Sequence, residues 1–166
     1  MRNNSLFYAL TGLDPNDRYF RPTVKLNPET HNFGILEKGH VMEYIMVRPD
    51  NKKIVTLFFG PKEAVVQCHP SLSTMVSLDS VKIGNFTYGG IIGTLHQFPE
   101  SRLIYRELRR KYNKKVADRL QSMQTMTPQE RFRHLHATQP WVFALAGKED
   151  IASYLGISVG MLRKML

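Results

Sequence analysis

Ser158, Arg163 and Lys164 place one hydroxyl and two cations within seven residues near the end of this 166-residue chain. Those are the side-chain types that hold phosphate oxygens. Catalytic chemistry has much less footing. Cys68 and His69 are adjacent, and neighbours along a strand face opposite ways, so they do not make a nucleophile and its base. His134 and His136 stand two apart, point about 200° from each other on a helix, and cannot share a metal. His31, His40, His69 and His96 show no convergent set of Cys, Asp or Glu at ligand spacing. Neither a P-loop nor a Gly-rich dinucleotide turn is present. No enzyme, cofactor or metal is therefore expected.

Something must hold Ser158, Arg163 and Lys164 outward, and the last 19 residues supply it. Two short helices crossing steeply need a small residue where their axes approach, a glycine at the turn and apolar inner faces. Ala152 is the small residue, Gly156 the turn, and Ile151, Leu155, Ile157, Leu162 and Met165 the inward set. The pattern predicts a helix-turn-helix whose outer face carries Ser158, Val159, Gly160, Arg163 and Lys164. Val159 and Gly160 offer no hydrogen bonds to bases, and a glycine inside a helix costs about 1 kcal/mol relative to alanine. Phosphate contacts are thus expected to dominate, and three explanations fit: weak or shape-dominated DNA recognition, an apolar touch from Val159 to a thymine methyl, or a diverged paralogue that no longer regulates by itself. A helical hairpin with no DNA role would use the same residues.

Upstream, residues 100–124 contain no Gly or Pro, and Ile104, Leu108, Tyr112, Val116 and Leu120 recur every four residues. Four residues advance about 400°, so the stripe drifts slowly around one amphipathic helix. Its other side holds Arg102, Arg106, Arg109, Arg110 and Lys114. A helix of ~25 residues, ~37 Å long, exceeds what a small barrel covers, and a second copy alongside would bury the remainder. The stripe is expected to dimerise the chain, with a helix folded back on its own domain as the alternative. Thr127-Pro128-Gln129-Glu130 then predicts a capping box and a new helix, which Pro140 stops.

Before residue 98 the pattern is β. Two β-rich runs, Val41–Arg48 and Ile54–Phe59, flank the polar turn Pro49-Asp50-Asn51-Lys52-Lys53 and predict a hairpin. Shorter strands are expected at Glu63–Val66, Thr74–Leu78 and Val81–Phe86. Even spacing of short strands suggests a small sandwich or barrel. An enzyme of the cupin kind built on such a roll would need a His/Glu metal set, which is not found.

Charge follows the same division. Residues 1–99 carry ten basic and eight acidic groups, residues 100–166 thirteen and six, so most of the net charge of +9 lies in the helical part. Such asymmetry suits a polyanion, because each cation near a phosphate releases condensed counterions. With 42% apolar and 22% charged residues the chain is globular rather than disordered. Asn3, Asn4 and Thr11 break the run a signal peptide would need, no apolar stretch reaches bilayer length, and Cys68 is the single cysteine. A soluble protein of the reducing cytoplasm is expected.

Gln129-Glu130-Arg131-Phe132-Arg133-His134-Leu135, Gln139-Pro140 and Ile151-Ala152-Ser153-Tyr154-Leu155-Gly156-Ile157-Ser158 resemble the C-terminal half of the Crp/Fnr regulators, in particular the Bacteroidetes type. Leu36-Glu37-Lys38-Gly39 and Asn51–Phe59 more loosely resemble that family's cyclic-nucleotide-binding β-roll. The resemblance covers about residues 30–166. It implies an α+β chain: an effector jelly roll (1–98), a long dimerisation helix (99–124) and a helix-turn-helix domain (125–166). Double-stranded DNA, a second copy and an unknown small-molecule effector are the partners implied. An interaction or small-ligand module with a vestigial helix-turn-helix is the other reading of the same sequence.

Two departures refine that expectation. The family's phosphate cassette pairs Gly-Glu with an Arg, and a buried phosphate without a fixed cation is undercompensated. Here no Arg occurs between Arg48 and Arg102, Leu72 falls at the cation's place, and Pro61-Lys62-Glu63-Ala64 lacks the Gly before its Glu. Ordinary cyclic-nucleotide binding is not expected. The sequence also ends at Leu166, directly after the second helix, so the wing of many relatives is expected to be short or missing.

Overall fold

The computed structural model describes residues 18–20, 33–66, 73–86 and 88–166. His31, Cys68, His69 and the cassette positions Pro70, Ser71 and Leu72 lie outside them. Seven strands come first: β1 (Arg18–Phe20), β2 (Phe33–Lys38), β3 (Val41–Val47), β4 (Lys52–Phe59), β5 (Ala64–Val66), β6 (Ser73–Ser77) and β7 (Val81–Phe86). They form two antiparallel sheets in the orders β1-β7-β2-β5 and β4-β3-β6.

The apolar run of β4 has a cause, because both of its faces are covered. Leu57 and Phe59 join Leu36, Val41, Val65, Met75, Val81 and Ile83 between the two sheets. Phe58 points the other way and meets the C-terminal helices. Period-2 alternation alone would put Val55 with Leu57. The register shifts instead, Glu43 facing Leu57 while Tyr44 faces Val55, so Thr56 is an extra residue and Val55 turns to the helical side. On β3, Val41 faces the roll interior while Met42 and Tyr44 face the helices. The chain is thus three layers deep, with the sheet β4-β3-β6 in the middle.

The β2–β3 turn rests on Gly39. Its φ is +85°, and a Cβ there would stand 2.5 Å from the Ser80 carbonyl oxygen, so only glycine fits. After β7 the backbone enters α1 (Tyr88–Gln97), an element that no spacing in the sequence predicts. Gly89, Gly90 and Gly93 weaken its helical propensity and blur its periodicity, which is why spacing gives no signal for it.

Six helices follow the roll in all among the described residues, and α2 (Ser101–Thr125) is the longest. Its middle lies on its own roll. Tyr112 stacks parallel on Phe59 with ring centroids 6.3 Å apart, Tyr112 and Val116 pack against the inter-sheet core, and Lys115 reaches Glu63 of the β4–β5 turn at 2.6 Å. The ends of the stripe stay open: Ile104 is 38% and Leu120 60% exposed. The expected alternative of a helix folded back on its own domain therefore holds for two of the five stripe residues, and Leu108 is half-buried.

α3 (Pro128–Thr138) starts on the expected capping box. Glu130 N–H donates to Thr127 Oγ1 at 3.3 Å, and Thr127 N–H to Glu130 Oε2 at 2.7 Å. α4 (Val142–Leu145), α5 (Lys148–Leu155) and α6 (Val159–Met165) complete the chain. Their core does not stand apart from the roll: Leu135, Val142, Ile151, Ala152, Leu155 and Leu162 share one cluster with Met42, Val55 and Phe58. No helix among the described residues is long and apolar enough to cross a membrane.

Candidate nucleic-acid interface

The junction of α5 and α6 is built from its glycine outward. Gly156 has φ +66° and ψ +39°, the left-handed region. Its N–H donates to Ser153 O at 3.2 Å and the N–H of Ile157 to Ala152 O at 3.0 Å, the paired bonds that close a helix and turn the chain sharply. Ser158 then starts α6, its hydroxyl oxygen accepting from Met161 N–H at 3.1 Å. Ile151, Ala152, Leu155 and Leu162 are buried, while Ile157 and Met165 are half-buried.

With Leu162 anchored inward, its neighbours Arg163 and Lys164 are exposed, as are Ser158 and Gly160. Neither cation has an ion-pair partner among the described residues. Val159 is half-buried and packs against the core, so little of it is left to touch a base.

α5 is fixed on its other side to the roll. Ser153 Oγ accepts the Val55 N–H at 3.0 Å and donates to Lys53 O at 3.1 Å, along the free edge of β4. Asp150 in the first turn of α5 meets Lys53 Nζ at 2.5 Å. Tyr154 lies 4.9 Å from Phe58, centroid to centroid. Trp141, just before α4, packs on the His40 ring at 4.1 Å, and His40 Nδ1 lies 2.7 Å from Asp79 Oδ2. None of the contacts between these helices and the roll has a sequence signal, because their partners lie about a hundred residues apart and depend on which strand is at the sheet edge.

The C-terminal end of α5 is held by two guanidiniums. Arg119 of α2 donates to Tyr154 O and lies over the Tyr154 ring, 3.9 Å from its centroid. Arg131 of α3 donates to Leu155 O at 2.9 Å and to Met126 O at 2.7 Å. Cations there complement the helix dipole. Burial lowers the Arg119 pKa, and it raises that of the Tyr154 hydroxyl. Burial also lowers the Lys115 pKa, against the opposing pull of Glu63.

Glu63, in the β4–β5 turn, is already engaged. Its Oε2 accepts from Gly60 N–H at 2.7 Å, and both oxygens accept from Lys115 Nζ. His134 and His136 are exposed, and among the described residues no three His, Cys, Asp or Glu group as a metal site.

No protein-family model and no curated protein sequence matches the chain. Solved structures do match it, a regulator of the Crp/Fnr family among them. FixK2 from Bradyrhizobium japonicum superposes with a TM-score of 0.74 at 13% identity, over 90% of this chain and 81% of that one. A transcriptional regulator assigned to the Crp/Fnr family from Eubacterium rectale gives 0.71 at 11% identity, covering 98% and 81%. The c-di-GMP responsive global regulator CLP of Xanthomonas campestris gives 0.70 at 13%, covering 98% and 89%. At such identities the likeness is one of fold: an α+β chain with the antiparallel roll of the cyclic-nucleotide-binding domain.

Proposed function

We propose that this chain is a DNA-binding transcription regulator of the Crp/Fnr type. Two copies join along α2, and their α6 helices enter successive major grooves about 34 Å apart. The observation that carries the reading is the exposure of Arg163 and Lys164 on a short helix whose opposite side is locked into the core by Leu162. Unpaired cations on a rigid convex element suit phosphate contact, and the asymmetric basic charge adds long-range attraction.

Cyclic AMP is not the signal in this reading. Glu63 is bound to Lys115 and to the Gly60 amide, and the cassette sequence carries no arginine for a cyclic phosphate. A signal reaching the roll would instead travel through β4, because α5 is bonded to its edge and moves with it. Fluorescence anisotropy with generic duplex DNA at low salt tests the assignment. Binding that weakens steeply with salt is expected, and no binding would leave an interaction module whose terminal helices only pack. Calorimetry with cyclic AMP and cyclic GMP should show no heat; micromolar binding of either would overturn the assignment of the roll.

A further inference from the structure

A cleft of about 440 Å³ lies between α2, α3 and the C-terminal end of α5. Small-ligand sites span ~300–1,000 Å³, so its size is that of a metabolite pocket. Its charge is unbalanced. Glu63 and Asp118 are the carboxylates lining it, and each is taken, Glu63 by Lys115 at 2.6 Å and Asp118 by Lys114 at 2.6 Å. Three further cations line the same space, Lys111, Arg119 and Arg131, and none of them has an ion-pair partner among the described residues.

The two arginines are half-buried and converge on adjacent carbonyls, Tyr154 O and Leu155 O. A helix C-terminus offers about half a negative charge, which does not balance two guanidiniums. Beyond burial itself, the charge of Arg131 further disfavours the charged form of Arg119, which places the two cations within electrostatic reach. Arg131 uses Nε and Nη1 on carbonyls, which leaves the second terminal nitrogen of its fork outside those bonds. A planar fork with a free arm, a second guanidinium and an exposed lysine over one concavity is an arrangement that takes a phosphate oxyanion.

We infer that this cleft binds a phosphorylated small molecule. A DNA backbone is the poorer occupant, because the site is a concavity and none of the residues lining it belongs to α6. The site lies outside the space between the two sheets, and its assignment does not depend on the DNA-binding reading.

Isothermal titration of the full chain with inorganic pyrophosphate, at constant ionic strength, tests it. Saturable binding of one anion per chain is expected. Lys111→Glu alters an exposed side chain that makes no ion pair among the described residues, and reversing its charge should weaken that binding about tenfold or more. Arg131→Lys keeps the charge and loses the fork, and should also weaken binding, with thermal unfolding run alongside because the same fork bonds to Leu155 O and Met126 O. No saturable heat, or pyrophosphate binding indifferent to Lys111→Glu, would overturn the site. Displacement of bound pyrophosphate by duplex DNA would overturn the choice of a small molecule. Loss of DNA binding with pyrophosphate binding intact would count against the regulator reading alone.

Discussion

Ser153 completes the edge of β4 for Val55: one hydroxyl accepts the Val55 amide and donates to the Lys53 carbonyl, doing at one point what a further strand would do along the ladder. An edge strand exposes unpaired backbone groups, and here a helix covers them. The bond also sets the angle of α5, because Asp150 one turn earlier is tied to Lys53.

Ser153→Ala leaves the amide of Val55, a residue 1% exposed, without its partner. A loss of about 1–3 kcal/mol in urea unfolding is expected, since a buried donor then carries its full desolvation cost. A change under ~0.5 kcal/mol would mean that α5 is held by packing alone.

The two glycines of the α5–α6 region should respond in opposite directions to alanine. At Gly156 the positive φ and a Cβ only 2.8 Å from Met123 Cε predict destabilisation of about 1–2 kcal/mol. At Gly160, exposed in α6, the nearest atom to an added Cβ is Ser158 Oγ at 3.9 Å, so alanine should add up to about 1 kcal/mol. Thermal unfolding of both variants checks the pair. A Gly160→Ala chain that is more stable and binds DNA less well would locate the backbone of α6 against the duplex.

Much of this was legible in local signals. The Thr127–Glu130 box, the unbroken 100–124 stretch, the hairpin around residue 50 and the Gly156 turn each rest on neighbours within a few residues. The failures are tertiary. Tyr112 and Val116 belong by spacing to one stripe with Leu120, yet Phe59 and the inter-sheet core take them while Leu120 stays open. Val159 is the exception, a local one: it stands three residues before Leu162, shares that residue's inward face, and so packs against the C-terminal core instead of lying fully outward as a base contact. The partners of Ser153 and Arg119 depend on how α5 docks, which no spacing encodes.

The capping box of α3 gives a pH signature. Hydrogen bonds from the Thr127 backbone amide, and then from its side chain, hold the Glu130 carboxyl below the ordinary glutamate value. A depressed folded-state pKa adds stability that is present above the unfolded value, about 4.3, and is lost as pH falls through the folded one. Glu130→Gln should therefore lower stability at neutral pH and flatten its fall below about pH 4.5, which denaturation at several pH values reads. Parallel pH profiles for the two chains would show the carboxylate to be uninvolved.

Arg163→Ala and Lys164→Ala should each weaken DNA binding by a similar factor on every sequence tested. Each should reduce the slope of log affinity against log salt by about 1, as the loss of one phosphate contact does. Anisotropy over a salt series with two unrelated duplexes measures both quantities. A variant that changed only the preference between duplexes would make that side chain a reader of base edges.

Dimerisation through α2 has a sharper form than the five-residue stripe. With Tyr112 and Val116 spent on the roll, a second copy can gain only from the open residues, and Leu103 at 61%, Ile104 at 38%, Leu120 at 60% and Met123 at 40% exposure are the large ones. These fall in two groups near the ends of the helix, and because the stripe drifts about 40° every four residues Ile104 and Leu120 lie about 160° apart around its axis, so a second copy engages the two ends from different sides rather than along one straight seam. Ile104→Glu together with Leu120→Glu would set a charge into each group without touching the inter-sheet core. Light scattering should then report a monomer with unchanged circular dichroism, and DNA affinity should fall far more than either basic substitution in α6 lowers it, because two half-sites no longer act together. A double variant that stays dimeric would place the interface elsewhere on the chain.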